Sequence, residues 1–266
     1  MTLPDLPHLS AAGQAAADAA QRALAEPLLT EFATRLSTVA PVRALWVHGS
    51  LAYGDYRHGR SDLDLVAVLP ATPNEQLQGR LGFLHRQLAE DEPDAAKLHC
   101  TYLPDGELGD AVVAHFTFAQ EESTWRPVTA VTRRELLDGG TVLKGEKPGV
   151  LLPPVTDDEL HAHIRADLRD YWYPITARPD PWHRDVWVDH GPVTAARATA
   201  TLREGRLITK REAIARLPAL GAPPGLAEDI AARRYGVPPV LTPEARAHRA
   251  EQARLFTRAL IERALG

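Results

Sequence analysis

The spacing of apolar side chains divides the chain into a mixed first part and a helical second part. Residues 10–37 repeat apolar positions at helical intervals, and the Ala-rich stretch within them is interrupted by Gln14, Asp18, Gln21 and Arg22. That pattern predicts an amphipathic helix, too broken by polar groups to form the roughly 18–20 residue apolar span a bilayer requires. Short apolar runs at 42–47, 63–69, 97–103, 112–119 and 141–144 have strand character. The segment Thr72–Pro73–Asn74–Glu75 combines a capping-box spacing with proline in a first turn, so a helix is expected from there to residue 91. A short helix is expected at 133–137, before Gly139–Gly140.

The texture changes after Pro148. Leu151–Leu152–Pro153–Pro154 reads as a stiff connector, because proline fixes φ and removes a backbone donor. Beyond it the periodicity is helical, over 156–172, 191–204, 209–217, 224–235 and 243–265. Thr156 to Glu159 and Thr209 to Glu212 both have capping-box spacing. Strands first and helices afterwards predict an α+β protein: a mixed-sheet domain at 1–153 followed by an all-α bundle at 154–266. No repeat or low-complexity tract interrupts this order.

Composition narrows the class. The chain has 266 residues, 44% of them hydrophobic and 24% charged, which suits a folded globular protein with a substantial core. Its first ten residues lack a basic segment followed by an apolar block, so no secretory leader is expected. The single cysteine, Cys100, excludes an internal disulfide and any multi-cysteine metal site, and a reducing cytoplasm is the expected setting. The net charge of -5 argues against a nucleic-acid binder, whose footprint is basic. Charge is uneven: residues 1–153 carry 13 basic and 20 acidic side chains, residues 154–266 carry 17 and 15. An acidic half beside a mildly basic half suits a cationic small molecule meeting an anionic nucleotide, although random surface variation gives the same asymmetry.

Candidate chemistry concentrates between residues 46 and 66. A strand is expected to end at Gly49–Ser50, with a helix beginning directly after it. Free backbone N–H groups at such a junction attract anions, glycine permits close approach, and the serine hydroxyl adds a hydrogen bond. After eleven intervening residues come Asp62 and Asp64, two apart in an apolar strand. A period of two places both carboxylates on one face while Leu63, Leu65 and Val66 feed the core. Paired carboxylates repel unless neutralised, and Mg²⁺ prefers carboxylate oxygens together with substrate phosphates. A lone Gly-Ser pair is usually a plain turn, and a lone Asp-x-Asp usually a solvated strand edge. Their combination at this spacing, with strands on both sides, is far more specific.

This segment resembles the signature of the polymerase-β-like nucleotidyltransferase superfamily. Within it, the chain is similar to streptomycin/spectinomycin-type aminoglycoside adenylyltransferases, in which a helical domain follows the nucleotidyltransferase domain. The resemblance runs from about residue 28 to 265. It implies AMP transfer from ATP, with Mg²⁺, to a hydroxyl of a small cationic acceptor such as an aminoglycoside, by a cytoplasmic monomer acting on neither nucleic acid nor membrane. Residue by residue it implies that Gly49, Ser50 and Ser61 contact the nucleotide and that Asp62 and Asp64 hold the metal. Arg197, then Gly205–Arg206–Leu207 and Lys210, match the family's phosphate-binding segment, and Tyr235 matches a nucleotide-contacting tyrosine. Trp172, Trp182, Asp185 and His190 are the implied acceptor contacts, with Trp187, Asp180 and Asp189 as further tryptophan and acidic candidates. Blander roles remain open for each: a solvated Lys210, an Arg197 ion pair, a packed Tyr235, and tryptophans in the core.

One departure matters. Where the family has an acidic base on the next strand, this chain has His99. Alternation places His99 on the face shared by Lys97 and Thr101, and imidazole is a competent base near neutral pH. Three readings stay open: His99 is the base; Asp105 or Glu107 reaches in from the following loop; or the chain is a nucleotide-binding module of weak activity. A protein-modifying adenylyltransferase is the remaining alternative, set against the large second domain.

Overall fold

The computed structural model describes residues 11–266. Ser10, the expected start of the first helix, and the leader reading of residues 1–10 lie outside the described residues. The chain divides into two compact units, one ending at Thr156 and the other beginning at Asp157.

The first unit is a six-stranded mixed sheet with helices on both faces. In chain order it contains α1 (Ala11–Val39), β1 (Ala44–His48), the one-turn α2 (Gly49–Ala52), β2 (Leu63–Leu69), α3 (Glu75–Asp91), β3 (Leu98–Pro104), β4 (Ala114–Ala119), β5 (Glu122–Pro127), α4 (Ala130–Gly139), β6 (Thr141–Gly145) and the short α5 (Pro148–Leu151). Strand order is β5-β4-β3-β2-β1-β6. Only β2 and β3 run parallel, joined through α3; the other pairs are antiparallel. Alternation along β2 sorts its side chains. Leu63, Leu65, Ala67 and Leu69 join Phe32, Leu36, Leu81 and Leu88 of α1 and α3 in one core layer, whereas Val66 and Val68 join Trp46, Leu103 and Leu136 of α4 in the other. Asp64 therefore shares the face covered by α4. Cys100 lies in the first layer, fully buried, and burial pushes its thiol up to about 12.

Three local features depart from the sequence reading. Asn74, rather than Thr72, caps α3, its side chain accepting a hydrogen bond from the Leu77 N–H. The expected strand at 112–119 begins at Ala114, and β5 follows it unforeseen. The intervening turn places Gln120 and Glu121 at φ of 54° and 62°, so this tight hairpin lacks the glycine or asparagine that usually announces one. The single-turn helix α5 precedes the expected connector and ends on its first residue, Leu151.

The second unit is helical: α6 (Asp157–Asp167), a π-helical turn (Leu168–Trp172), α7 (Tyr173–Thr176), α8 (Asp185–Glu204), α9 (Lys210–Arg216), α10 (Leu226–Tyr235) and α11 (Pro243–Leu265). The capping box at Thr209–Glu212 is present in full, and Gly205 ends α8 in the left-handed region at φ 68°. Helix α8 begins six residues before the expected 191, carrying Pro192 in its interior. Gly191 explains the local sequence. A Cβ there would stand 2.4 Å from the Trp182 ring, so only glycine lets that indole pack against the helix.

Candidate active site

Strand β1 ends at His48, and the chain turns at once into α2. Gly49 makes the turn at φ +64°, a conformation that favours glycine. The turn is held by Tyr53 N–H to Gly49 O at 3.1 Å and Asp55 N–H to Ser50 O at 2.8 Å. The antiparallel register sets His48 opposite Asp64. Consequently Gly49 lies directly on the carboxylate: a Cβ at Gly49 would be 2.8 Å from Asp64 Oδ2. Gly49–Ser50 and Asp64, which the sequence placed together, are adjacent.

Asp62 directly precedes β2 and is exposed, while Asp64, the second residue of β2, is partly buried. The charge of Asp62 reaches Tyr56, whose phenol is pushed up to about 12 by burial first and then by Asp94 and Asp62. Ser61 is buried, and its hydroxyl accepts the Arg57 N–H at 3.0 Å. It thus builds the turn that delivers Asp62. Among the described residues no three His, Cys, Asp or Glu side chains gather into a metal-binding group.

On the other side of Asp64 the parallel register brings His99, with Nδ1 3.5 Å from Asp64 Oδ1. The two loop carboxylates point elsewhere. Asp105 follows the far end of β3, about 20 Å along the strand from His99, and is paired with Arg43. Glu107 is 3.2 Å from Nδ1 of the buried His115. Neither is placed to serve as the base, which leaves His99 as the titratable side chain of β3 beside Asp64.

Glu135 is not among the residues that the sequence singles out. This buried residue of α4 approaches His48 Nδ1 at 3.0 Å through Oε2. Burial opposes charge on His48, but the hydrogen bond and charge of Glu135, helped by Asp64, outweigh it and raise the pKa. His48, Asp64 and His99 therefore form one row across β1, β2 and β3, with Glu135 beyond His48.

In the second unit, Arg197 Nε donates to the Ile208 carbonyl at 2.8 Å and so braces the turn before α9. Lys210 is the first residue of α9 and Tyr235 the last of α10. The guanidinium groups of Arg211 and Arg234 lie 5.5 and 5.4 Å from the Tyr235 ring centre, and Arg234 Nε donates to its hydroxyl at 3.0 Å. His190 retains solvent access, yet desolvation of the ring together with the charges of Lys210 and Arg234 lowers its pKa to about 4. Its surroundings are cationic. Arg211 and Arg234, the sequence neighbours of Lys210 and Tyr235, thus line the tyrosine ring.

The expected acceptor contacts separate. Trp172 is half-buried, edge-on to Tyr171 and Trp187 at 5.5 and 5.9 Å. Trp182 is not an accessible face: it is 1% exposed, packed on Gly191, with Nε1 donating to the Ile175 carbonyl at 3.3 Å. Asp185 is held by Arg249, which also pairs with Asp229; Arg233 joins Asp229 to Asp189 at 2.6 and 2.5 Å. Asp185 and Asp189 thus belong to an internal ion-pair network, and burial raises the Asp189 pKa despite Arg233.

Among the described residues no helix is long and apolar enough to cross a membrane. No curated protein matches the chain. Residues 29–117 match the nucleotidyltransferase domain family. Among solved structures, the chain is similar to the spectinomycin adenyltransferase AAD(9) from Enterococcus faecialis, crystallised with ATP and spectinomycin. The TM-score is 0.66 and the identity 15%, over 89% of this chain and 99% of that one. Residues 29–117 are therefore similar to the nucleotidyltransferase domain family, and the chain shares its fold with the spectinomycin adenyltransferase.

Proposed function

We propose that the protein transfers AMP from ATP to a hydroxyl group of a small acceptor, with an aminoglycoside-type aminosugar as the acceptor class. The observation that carries this reading is the packing of Gly49 against Asp64 with His99 on the opposite side. It supplies an anion-binding turn, a carboxylate and a proton acceptor at one end of the sheet. Asp62 and Asp64 offer the oxygen donors that Mg²⁺ prefers, and the missing Cβ of Gly49 leaves Oδ2 of Asp64 approachable. These residues fit the ion, which would screen the polyphosphate and stabilise charge developing on it. Gly49 and Ser50 bind the β and γ phosphates. His99 accepts the proton of the acceptor hydroxyl as its oxygen bonds to the α-phosphorus, and the α–β bridging bond breaks to release pyrophosphate. Arg197, Lys210 and Tyr235 are assigned to the nucleotide; Trp172 and His190 are assigned to the acceptor.

The test is incubation of the full chain with ATP, Mg²⁺ and a panel of aminoglycosides, followed by mass measurement of the products. A gain of one AMP on a panel member is expected. ATP binding without any adduct would overturn the acceptor class and favour the second reading, a nucleotide-binding module. That reading is motivated by His99 at the family's acidic position. AMP on a protein of the lysate would favour a protein-modifying enzyme.

A further inference from the structure

We propose that Glu135 is a positioning residue of the phosphate-binding turn, acting through His48. This rests on the functional reading above, and it assigns a role to a helix that the nucleotidyltransferase motif does not include.

Helix α4 packs against both β1 and α2, the elements on either side of Gly49. It touches this turn at two points. Near its middle, Glu135 is hydrogen-bonded to His48, the residue immediately before Gly49. At its end, Gly139 lies beneath Tyr53, the residue after α2; a Cβ there would meet the ring at 3.6 Å. Both ends of the segment 48–53 are thereby referred to one helix.

The Glu135 contact is the directional one. The residue is only 7% exposed, so its carboxylate lies away from bulk water. A buried charge of this kind strongly favours retaining a hydrogen-bonded partner, so the position of the His48 ring is coupled to the helix. The coupling matters because the turn has little spare room. Gly49 is already in the left-handed region, and the space where a Cβ would sit lies 2.8 Å from Asp64 Oδ2. A shift of a few tenths of an ångström at His48 either closes the anion site onto the carboxylate or draws the Gly49 and Ser50 N–H groups away from it. Glu135 touches no phosphate; it fixes the backbone that does.

The experiment compares ATP and adenosine affinity, by calorimetry with Mg²⁺, for the wild-type chain, Glu135→Leu and Glu135→Gln, with thermal unfolding of each. Leucine fills the site without accepting a hydrogen bond. It should weaken ATP binding about ten-fold, the size of one charge-assisted hydrogen bond, and leave adenosine binding unchanged. Glutamine keeps an acceptor oxygen and should recover most of the lost affinity. Should Glu135→Leu fail to fold, His48→Phe removes the same bond from the other side and carries the same prediction. Unchanged ATP affinity in a folded variant would overturn the proposal, as would an equal loss for adenosine or no recovery with glutamine. If the wild-type chain binds no ATP, the functional reading itself fails and this proposal falls with it.

Discussion

At Gly49 a side chain meets two separate obstacles: φ is +64°, and the space for a Cβ is taken by Asp64 Oδ2 at 2.8 Å. Gly49→Ala should cost about 1–2 kcal/mol from backbone strain alone. It should also abolish Mg²⁺-dependent ATP binding, because the methyl group covers the carboxylate; calorimetry and chemical denaturation read the two effects separately. His99, 3.5 Å from Asp64, is the base in the proposed transfer. His99→Ala should lower kcat by about 100-fold or more, the usual contribution of a general base, while ATP affinity stays within about two-fold because no phosphate contact is lost. If His99→Ala is as active as wild type, His99 is not the base; if transfer appears only in His99→Glu, the native chain is a binding module. These residues were legible in the sequence because their spacing is local. Gly49–Ser50 and Asp62–Asp64 fall within one short stretch, and alternation on β3 aimed His99 at the correct face. Glu135 was not legible, since it meets His48 across 87 positions and nothing in the local pattern of α4 announces it.

At the scale of elements, packing decides what the tryptophans do. Trp182 stands among the acceptor contacts implied by the family resemblance, but its ring lies against Gly191. Gly191→Ala should destabilise the second unit by about 1–3 kcal/mol through overpacking, visible as a lower urea midpoint. An unaltered midpoint would contradict this packing. A helix start is expected at 191; in the fold Gly191 lies inside α8 against the indole, and Pro192 is carried within the helix. Strand β5 escaped notice for the converse reason. Gln120 and Glu121 adopt positive φ without being glycine, so the turn that makes the hairpin has no sequence signal.

A buried histidine in the first unit's core carries a pH dependence of stability. His85 of α3 stacks on Phe118 with centroids 4.3 Å apart and approaches the Tyr102 hydroxyl at 2.8 Å through Nε2. Burial, with smaller contributions from His99 and Arg86, lowers its pKa from 6.5 to about 3. The unfolded chain takes up this proton below pH 6.5 and the folded chain does not. Stability should therefore be complete above that pH and fall on acidification, by up to roughly 1.4 kcal/mol per unit for this group, until the pH reaches the folded value. His85→Phe should flatten that slope between pH 6 and 4 in denaturant titrations; an identical slope would show that His85 is not its source.

For the whole molecule, the division into a mixed-sheet part and a helical part was readable because strands cease near Pro148 and capping signals recur afterwards. The ion-pair network of Asp185, Asp189, Asp229, Arg233 and Arg249 was not, because its members come from three helices and meet only through tertiary packing. The proposed activity requires that the turn at Gly49–Ser50 and the acids at 62 and 64 together bind a nucleoside triphosphate and a divalent cation. Calorimetric titration of ATP with and without Mg²⁺, on the wild-type chain and on Asp64→Asn, tests it most directly. Binding that requires Mg²⁺ and is lost in Asp64→Asn is the predicted result. Binding indifferent to both the ion and the substitution would contradict the account.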